Sequence, residues 1–269
     1  MLREPITLEF PVIAEPPRAA ELPTEDGIPM ESPWHRAEIN LLIDSLDQHW
    51  RGRTDYYCGG NMFIYFSLQQ IRKQDYRGPD FFVVKGVDGT RPRGSWVVWE
   101  EDGQYPDLIV ELLSPSTAEL DKTTKKQLYE NVFHTPEYFC YDPAPQELLG
   151  WHLAESQYEE LIPDPSGRLW SNILKVWMGL WEGEYLGHKA HWLRFFDDDG
   201  NLIPINTEAQ AARADREAAR AESEAARADR EAARATAAIT RADQEAAARQ
   251  TAEVELIRLR AELARLQNP

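Results

Sequence analysis

The chain has 269 residues, 42% of them hydrophobic and 28% charged, a globular composition with room for one or two domains. Its formal net charge of −17 excludes attraction to bare phosphate backbones by bulk charge alone. No apolar run approaches the roughly 18 residues of a membrane span, Met1–Pro5 lacks the apolar block of a secretory signal, and two cysteines make no disulfide framework.

Those absences predict a cytoplasmic protein with reduced thiols. The charge is uneven: residues 207–269 carry 11 Arg and 12 Asp or Glu, so nearly all of the excess acid lies on residues 1–206. All nine Trp also lie before residue 200.

Three zones follow in chain order. Residues 1–30 are rich in Pro and Glu and read as an extended N-terminal segment. Residues 31–206 alternate helix and strand signals and read as one domain. Residues 207–269 are almost purely Ala, Arg, Glu and Asp and read as a helical tail.

The middle zone opens with Ser32, a good N-cap, and Pro33 at the first helical position. Ile39, Leu42, Ile43 and Leu46 then keep amphipathic spacing, which predicts a helix. Strand signals follow at Tyr56–Ser67, broken at Gly59-Gly60, then at Asp80–Lys85, Gly94–Glu100 and Asp107–Leu113. Ser114-Pro115-Ser116-Thr117 closes the last of these. A helix is predicted over residues 118–133, stopped by Thr135-Pro136. Glu137–Tyr141, Glu147–His152 and Glu159–Ile162 read as further strands. Trp170, Trp177 and Trp181 read as core aromatics. The fold class is α/β, a mixed central sheet flanked by helices.

The tail repeats every seven residues from Ala209. Ala at 211, 214, 218, 221, 225, 228, 232 and 235 makes a stripe of alternating three- and four-residue spacing. Ile239 and Ala242 continue it, and Leu256, Leu259, Leu263 and Leu266 end it in zipper-like spacing. Alanine favours helix, and Glu224–Arg227 and Glu231–Arg234 are expected as ion pairs. Two readings stand: a long solvated helix, or a coiled coil joining a second copy (a homo-oligomer, such as a dimer) or another partner through residues 207–267. An alanine seam buries little area, so firm pairing is expected only at the leucine end.

The chemistry-bearing residues cluster in the middle zone. Strand alternation puts Asp107 and Glu111 on one face of an apolar run, Leu108-Ile109-Val110-Glu111-Leu112-Leu113. An unpaired buried carboxylate is costly, so Glu111 must pair with a base, take up a proton, or hold a metal. Oxygen ligands of this kind suit a divalent cation; the competing reading is an ion pair with a helix lysine. Pro79-Asp80 opens a second apolar strand in the same way, which suggests neighbouring strands whose acids converge. Lys122, Lys125 and Lys126 follow on the helix, with Lys125 one turn before Tyr129. His188 and His191 have His-x-x-His spacing, but a surface or structural role is expected for them. Glu31 and Glu38 on the first helix are further acids within conceivable reach.

The segment from Pro106 to Pro143 resembles the restriction endonuclease domain of the Uma family, within the PD-(D/E)XK nuclease superfamily. The matching positions are Asp80, Asp107, Glu111, Ser114 to Thr117, Asp121, Lys125, Tyr129, Glu137-Tyr138 and Asp142-Pro143. The resemblance implies a restriction-endonuclease-like sheet and DNA as substrate. It further implies Mg²⁺ or Mn²⁺ held by Asp80 and Glu111, with Asp107 near the same site. Lys125 would be the catalytic lysine, since the usual lysine position two residues after the acid holds Leu113. The implied activity is metal-dependent hydrolysis of DNA phosphodiester bonds. The alternative is a weak or inactive nuclease fold that serves assembly through the coiled tail.

Overall fold

The computed structural model describes residues 15–24, 32–73 and 78–267. Its packing divides into two units, Met1–Asn206 and Thr207–Pro269. Most of the expected N-terminal segment, and Glu31, lie outside the described residues.

In the first unit Ser32 caps helix α1 (Pro33–His49), its hydroxyl oxygen accepting the His35 N–H at 3.3 Å. The expected strand over Tyr56–Ser67 divides into β1 (Tyr56–Gly59) and β2 (Ile64–Tyr65), and a short helix α2 (Leu68–Lys73) follows. Gln70 turns the chain there, accepting the Phe66 N–H and donating to the Ile64 carbonyl. Gly60 marks a close approach to α1, since a Cβ there would stand 2.2 Å from Ile39 Cγ2.

Next come β3 (Phe81–Lys85), β4 (Trp96–Val97), β5 (Leu108–Leu112), β6 (Glu137–Asp142), β7 (Glu147–Ala154) and β8 (Gln157–Glu160). The expected strand at Gly94–Glu100 keeps only β4, because Val98–Glu100 tightens into a 3₁₀ turn. The main sheet is six-stranded, in the order β1-β3-β5-β6-β7-β8. β5 and β6 run parallel, whereas β3 and β5 run antiparallel. A parallel pair needs a crossover, and residues 118–133, here called the site helix, supply it.

β5 is central and covered on both faces, as its run of apolar residues on both faces leads one to expect. Leu108, Val110 and Leu112 pack with Ile39, Leu42 and Leu46 of α1. Ile109 and Leu113 pack on the other face with Tyr129 and Phe133 of the site helix. A second antiparallel sheet follows, β9 (Leu169–Ser171), β10 (Val176–Tyr185) and β11 (His188–Phe196), which the sequence reading left unassigned. Its Met178, Leu193 and Phe195 join the cluster under α1. Trp170, Trp177 and Trp181 are only half-buried, while Trp96 and Trp192 are fully buried.

The second unit belongs to one 62-residue helix, Asn206–Gln267. Leu256, Leu259 and Leu263 are all about half exposed along it. Its ion pairs include Arg220–Glu224 at 3.0 Å and Arg227–Glu231 at 3.2 Å, which join residues four apart where the sequence pattern suggested three. Among the described residues no helix is long and apolar enough to cross a membrane.

Candidate active site

The β3–β5 register pairs Phe81 with Val110. Asp80 and Glu111 are therefore the next residues outward, at the C-terminal end of β5. The Asp80 N–H donates to Glu111 Oε2 at 3.4 Å, and the Leu112 N–H donates to Asp80 Oδ2 at 2.8 Å. Asp80 is half-buried and Glu111 fully buried.

The site helix reaches this pair through an unusual backbone. Ala118–Leu120 and Lys126–Leu128 are α-helical, and Asp121–Lys125 and Tyr129–Phe133 are π-helical. In an α-helix every fourth residue drifts by about 40° around the axis. The wider i→i+5 turns drift the other way, so alternating the two brings every fourth residue back into line. Asp121, Lys125 and Tyr129 thereby share one stripe facing Glu111. Lys125 Nζ lies 3.1 Å from Glu111 Oε2 and 2.7 Å from Asp121 Oδ1. The Tyr129 hydroxyl donates to Glu111 Oε1 at 2.7 Å. The Tyr138 hydroxyl donates to the Asp121 carbonyl at 2.9 Å, taking up a backbone acceptor of the first π turn.

One ammonium thus faces three carboxyl groups. Burial pushes Glu111 up to about 8; Lys125 opposes the rise, and Asp80 and Asp121 add to it. Burial likewise pushes Asp80 up to about 6, against the pull of the Leu112 N–H and Lys125. Burial alone would lower Lys125, but Glu111 and Asp121 outweigh it and hold the ammonium above its ordinary value. The two partners pull in opposite directions because acids outnumber bases. The charged form of Lys125 is favoured, and burial beside a second acid favours a proton on the carboxyl pair.

Asp107 is not brought to this cluster. Its Oδ2 accepts the Lys85 N–H at 2.7 Å, at the opposite end of the β3–β5 pair. Four residues of strand separate it from Glu111, roughly 13 Å at about 3.3 Å per residue. One strand face is shared, but one cation is not. Lys122 turns away to Glu147, and Lys126 sits over the Trp151 ring at 4.0 Å. Glu38 bonds the Leu193 N–H of β11, not the cluster. His188 is exposed and His191 half-buried, and their odd spacing on β11 sends them to opposite faces. Leu113 is buried against aromatic rings, a position where an ammonium would lack solvation. Glu137 clamps the turn after β9, accepting from Ser171 Oγ and the Asn172 N–H.

Tyr129 and Asp121 belong to the cluster, although the sequence reading gave neither a role; their four-residue spacing about Lys125 was the available signal. Among the described residues no three His, Cys, Asp or Glu side chains form a ready cation cage. The donor chemistry of Asp80 and Glu111 still suits a hard divalent cation. Both offer carboxylate oxygens, and a divalent cation could take the place of the proton held by the pair.

A family model described as "Uma2: Putative restriction endonuclease" matches residues 8–179, which include β1 to β9 and the whole cluster. A crystal structure described as a putative nuclease belonging to DUF820 from Anabaena variabilis ATCC 29413 is similar at 19% identity, covering 55% of this chain and 87% of that one, with a TM-score of 0.37. No curated protein matches the chain.

Proposed function

The chain belongs to the Uma2 family, and from that premise we propose that it hydrolyses DNA phosphodiester bonds at the Asp80–Glu111–Lys125 cluster with Mg²⁺ or Mn²⁺. The observation that carries the reading is the placing of two carboxyl groups on adjacent strand ends beside one lysine ammonium. Asp80 and Glu111 would hold the metal, which when bound supplies Lewis acidity at the phosphate and a more acidic water. Lys125 stabilises the negative charge that develops on the phosphate oxygens. Tyr129 fixes the Glu111 carboxylate through its hydroxyl, and Asp121 holds the Lys125 ammonium. Asp107 serves the β3–β5 frame. DNA reaches the acidic body through this local chemistry, since bulk charge opposes it.

The test is plasmid nicking by the purified chain with Mg²⁺ or Mn²⁺. Glu111→Ala should abolish nicking; undiminished nicking would remove Glu111 from the reaction. A second reading rests on Lys125 already neutralising the pair: a nuclease fold with little or no activity that serves assembly through its tail. Calorimetry with Mn²⁺ separates the two, with binding heat lost in Glu111→Ala under the first reading and absent from both proteins under the second.

A further inference from the structure

A cleft of 810 Å³ opens beside the end of β5, lined by Ser32, Trp34 and His35 of the α1 start, by Leu113 to Ser116, and by Pro143, Ala190 and His191. Among the described residues no Lys, Arg, Asp or Glu lines it, on a unit that carries nearly all of the chain's excess acid. The walls are Trp34, Leu113, Pro115, Pro143 and Ala190. The polar groups are hydroxyls and imidazoles: Ser114 Oγ and Ser116 Oγ lie 2.9 Å apart, His35 Nδ1 lies 2.9 Å from Ser32 Oγ, and His191 Nδ1 lies 3.0 Å from Gln146 Nε2.

One peptide unit away lies the carboxyl cluster. The Leu112 carbonyl faces His35 Nε2 at 3.1 Å, while the Leu112 N–H holds Asp80. Ser114 follows Glu111 by three residues. We propose that this cleft is a subsite for one unpaired nucleobase next to the phosphate at Asp80 and Glu111, so that the substrate class is DNA with a single-stranded or extruded nucleotide.

Three features carry the assignment. A phosphate subsite needs a cation or a row of N–H donors, and the described lining holds no Lys or Arg. A heterocyclic base needs apolar walls for its faces and hydrogen-bonding groups for its edge, and the lining supplies apolar walls with hydroxyls and imidazoles. A base inside a duplex is stacked and paired, so it enters such a cleft only after leaving the stack. The proposal rests on the nuclease reading for the phosphate, but the cleft is tested without it.

The probes are thymidine, deoxyadenosine, deoxyribose and inorganic phosphate, titrated by NMR into the full chain and into Ala190→Trp and Ser116→Trp. Stacking and edge contacts of one base are worth roughly tenfold in affinity or more. The nucleosides should therefore bind saturably and at least about tenfold more tightly than deoxyribose or phosphate. Both variants should weaken nucleosides by a similar factor. Ser116 lies on an exposed loop, which keeps the test open if Ala190→Trp fails to fold. Absence of saturable nucleoside binding, equal binding of deoxyribose, tighter binding of phosphate, or nucleoside binding unchanged in Ser116→Trp would each overturn the subsite. Nucleoside binding without any nicking would refute the nuclease reading and leave the subsite standing. Nicking with equal rates on paired and unpaired strands, unchanged by Ser116→Trp, would do the reverse.

Discussion

The most discriminating perturbation is Glu111→Gln, read as stability against pH in the presence of a chelator. Glu111 is fully buried and pushed up to about 8, with Asp80 beside it at about 6. Their folded values lie above the ordinary carboxylate range, so the stability tied to them is present in acid and lost as pH rises through the folded values. Between pH 6.5 and 7.5 the folded pair retains about one proton that the unfolded chain has already released. The slope is then a loss of about 1.4 kcal/mol per pH unit, or about 3–6 °C in Tm for a unit of this size. Glutamine cannot ionise, so the variant should have a nearly flat curve over that interval. Tryptophan fluorescence is the right probe, because all nine Trp precede residue 200 and none reports on the tail. Saturating Mn²⁺ should flatten the wild-type slope too, because a bound cation replaces the proton. Parallel slopes for wild type and variant without metal would refute the reasoning, for they would mean that Lys125 outcompetes burial and keeps Glu111 ionised in the folded state.

Lys125→Met leaves the buried carboxyl groups without their cation; we expect a loss of about 3 kcal/mol near neutral pH by urea unfolding and a fall of about 100-fold or more in nicking. Asp107→Ala removes the acceptor of the Lys85 N–H; about 1–2 kcal/mol should be lost, with Mn²⁺ affinity by calorimetry unchanged, and a matching loss of metal affinity would return Asp107 to the site. Removing residues 207–269 should leave the fluorescence-detected unfolding of the first unit intact and abolish self-association in sedimentation velocity. Asp215, Glu217, Glu222, Glu224, Asp229 and Glu231 flank the alanine stripe, so association of the whole chain should strengthen with added salt.

The sheet was legible because its strands carry strong local signals. Pro-Asp openings, a central apolar run and the Thr135-Pro136 stop place β3, β5 and β6 within a residue or so. The weak places are those where a side chain overrules local propensity. Gln70 bends the chain after β2 through hydrogen bonds to Phe66 and Ile64, and no periodicity announces that. β10 and β11 carry no comparable signal: Trp170, Trp177 and Trp181 read as core aromatics, while Trp177 and Trp181 pair with Phe196 and Trp192, nineteen and eleven residues away. The tail was legible as helix from composition alone, since alanine needs no tertiary partner to favour it.

The site divides along the same line. Glu111 announced itself as an acid in an apolar run, and Asp80 as its echo on a second strand. Their convergence depends on antiparallel register, which puts Asp80 opposite Glu111 and sends Asp107 to the far end. Face alternation alone could not distinguish those two neighbours, because it fixes direction and leaves distance open. Lys125 required still more. On a regular α-helix Asp121, Lys125 and Tyr129 would fan out by about 80° over eight residues, and Asp121 and Tyr129 would not both meet Glu111. The π turns remove that fan, and Tyr138 satisfies one carbonyl within them. A lysine two residues after the acid would have to emerge at Leu113, inside an aromatic cluster. The protein instead brings its ammonium in from a helix wound to deliver it, with an aspartate and a tyrosine on the same line to hold the geometry.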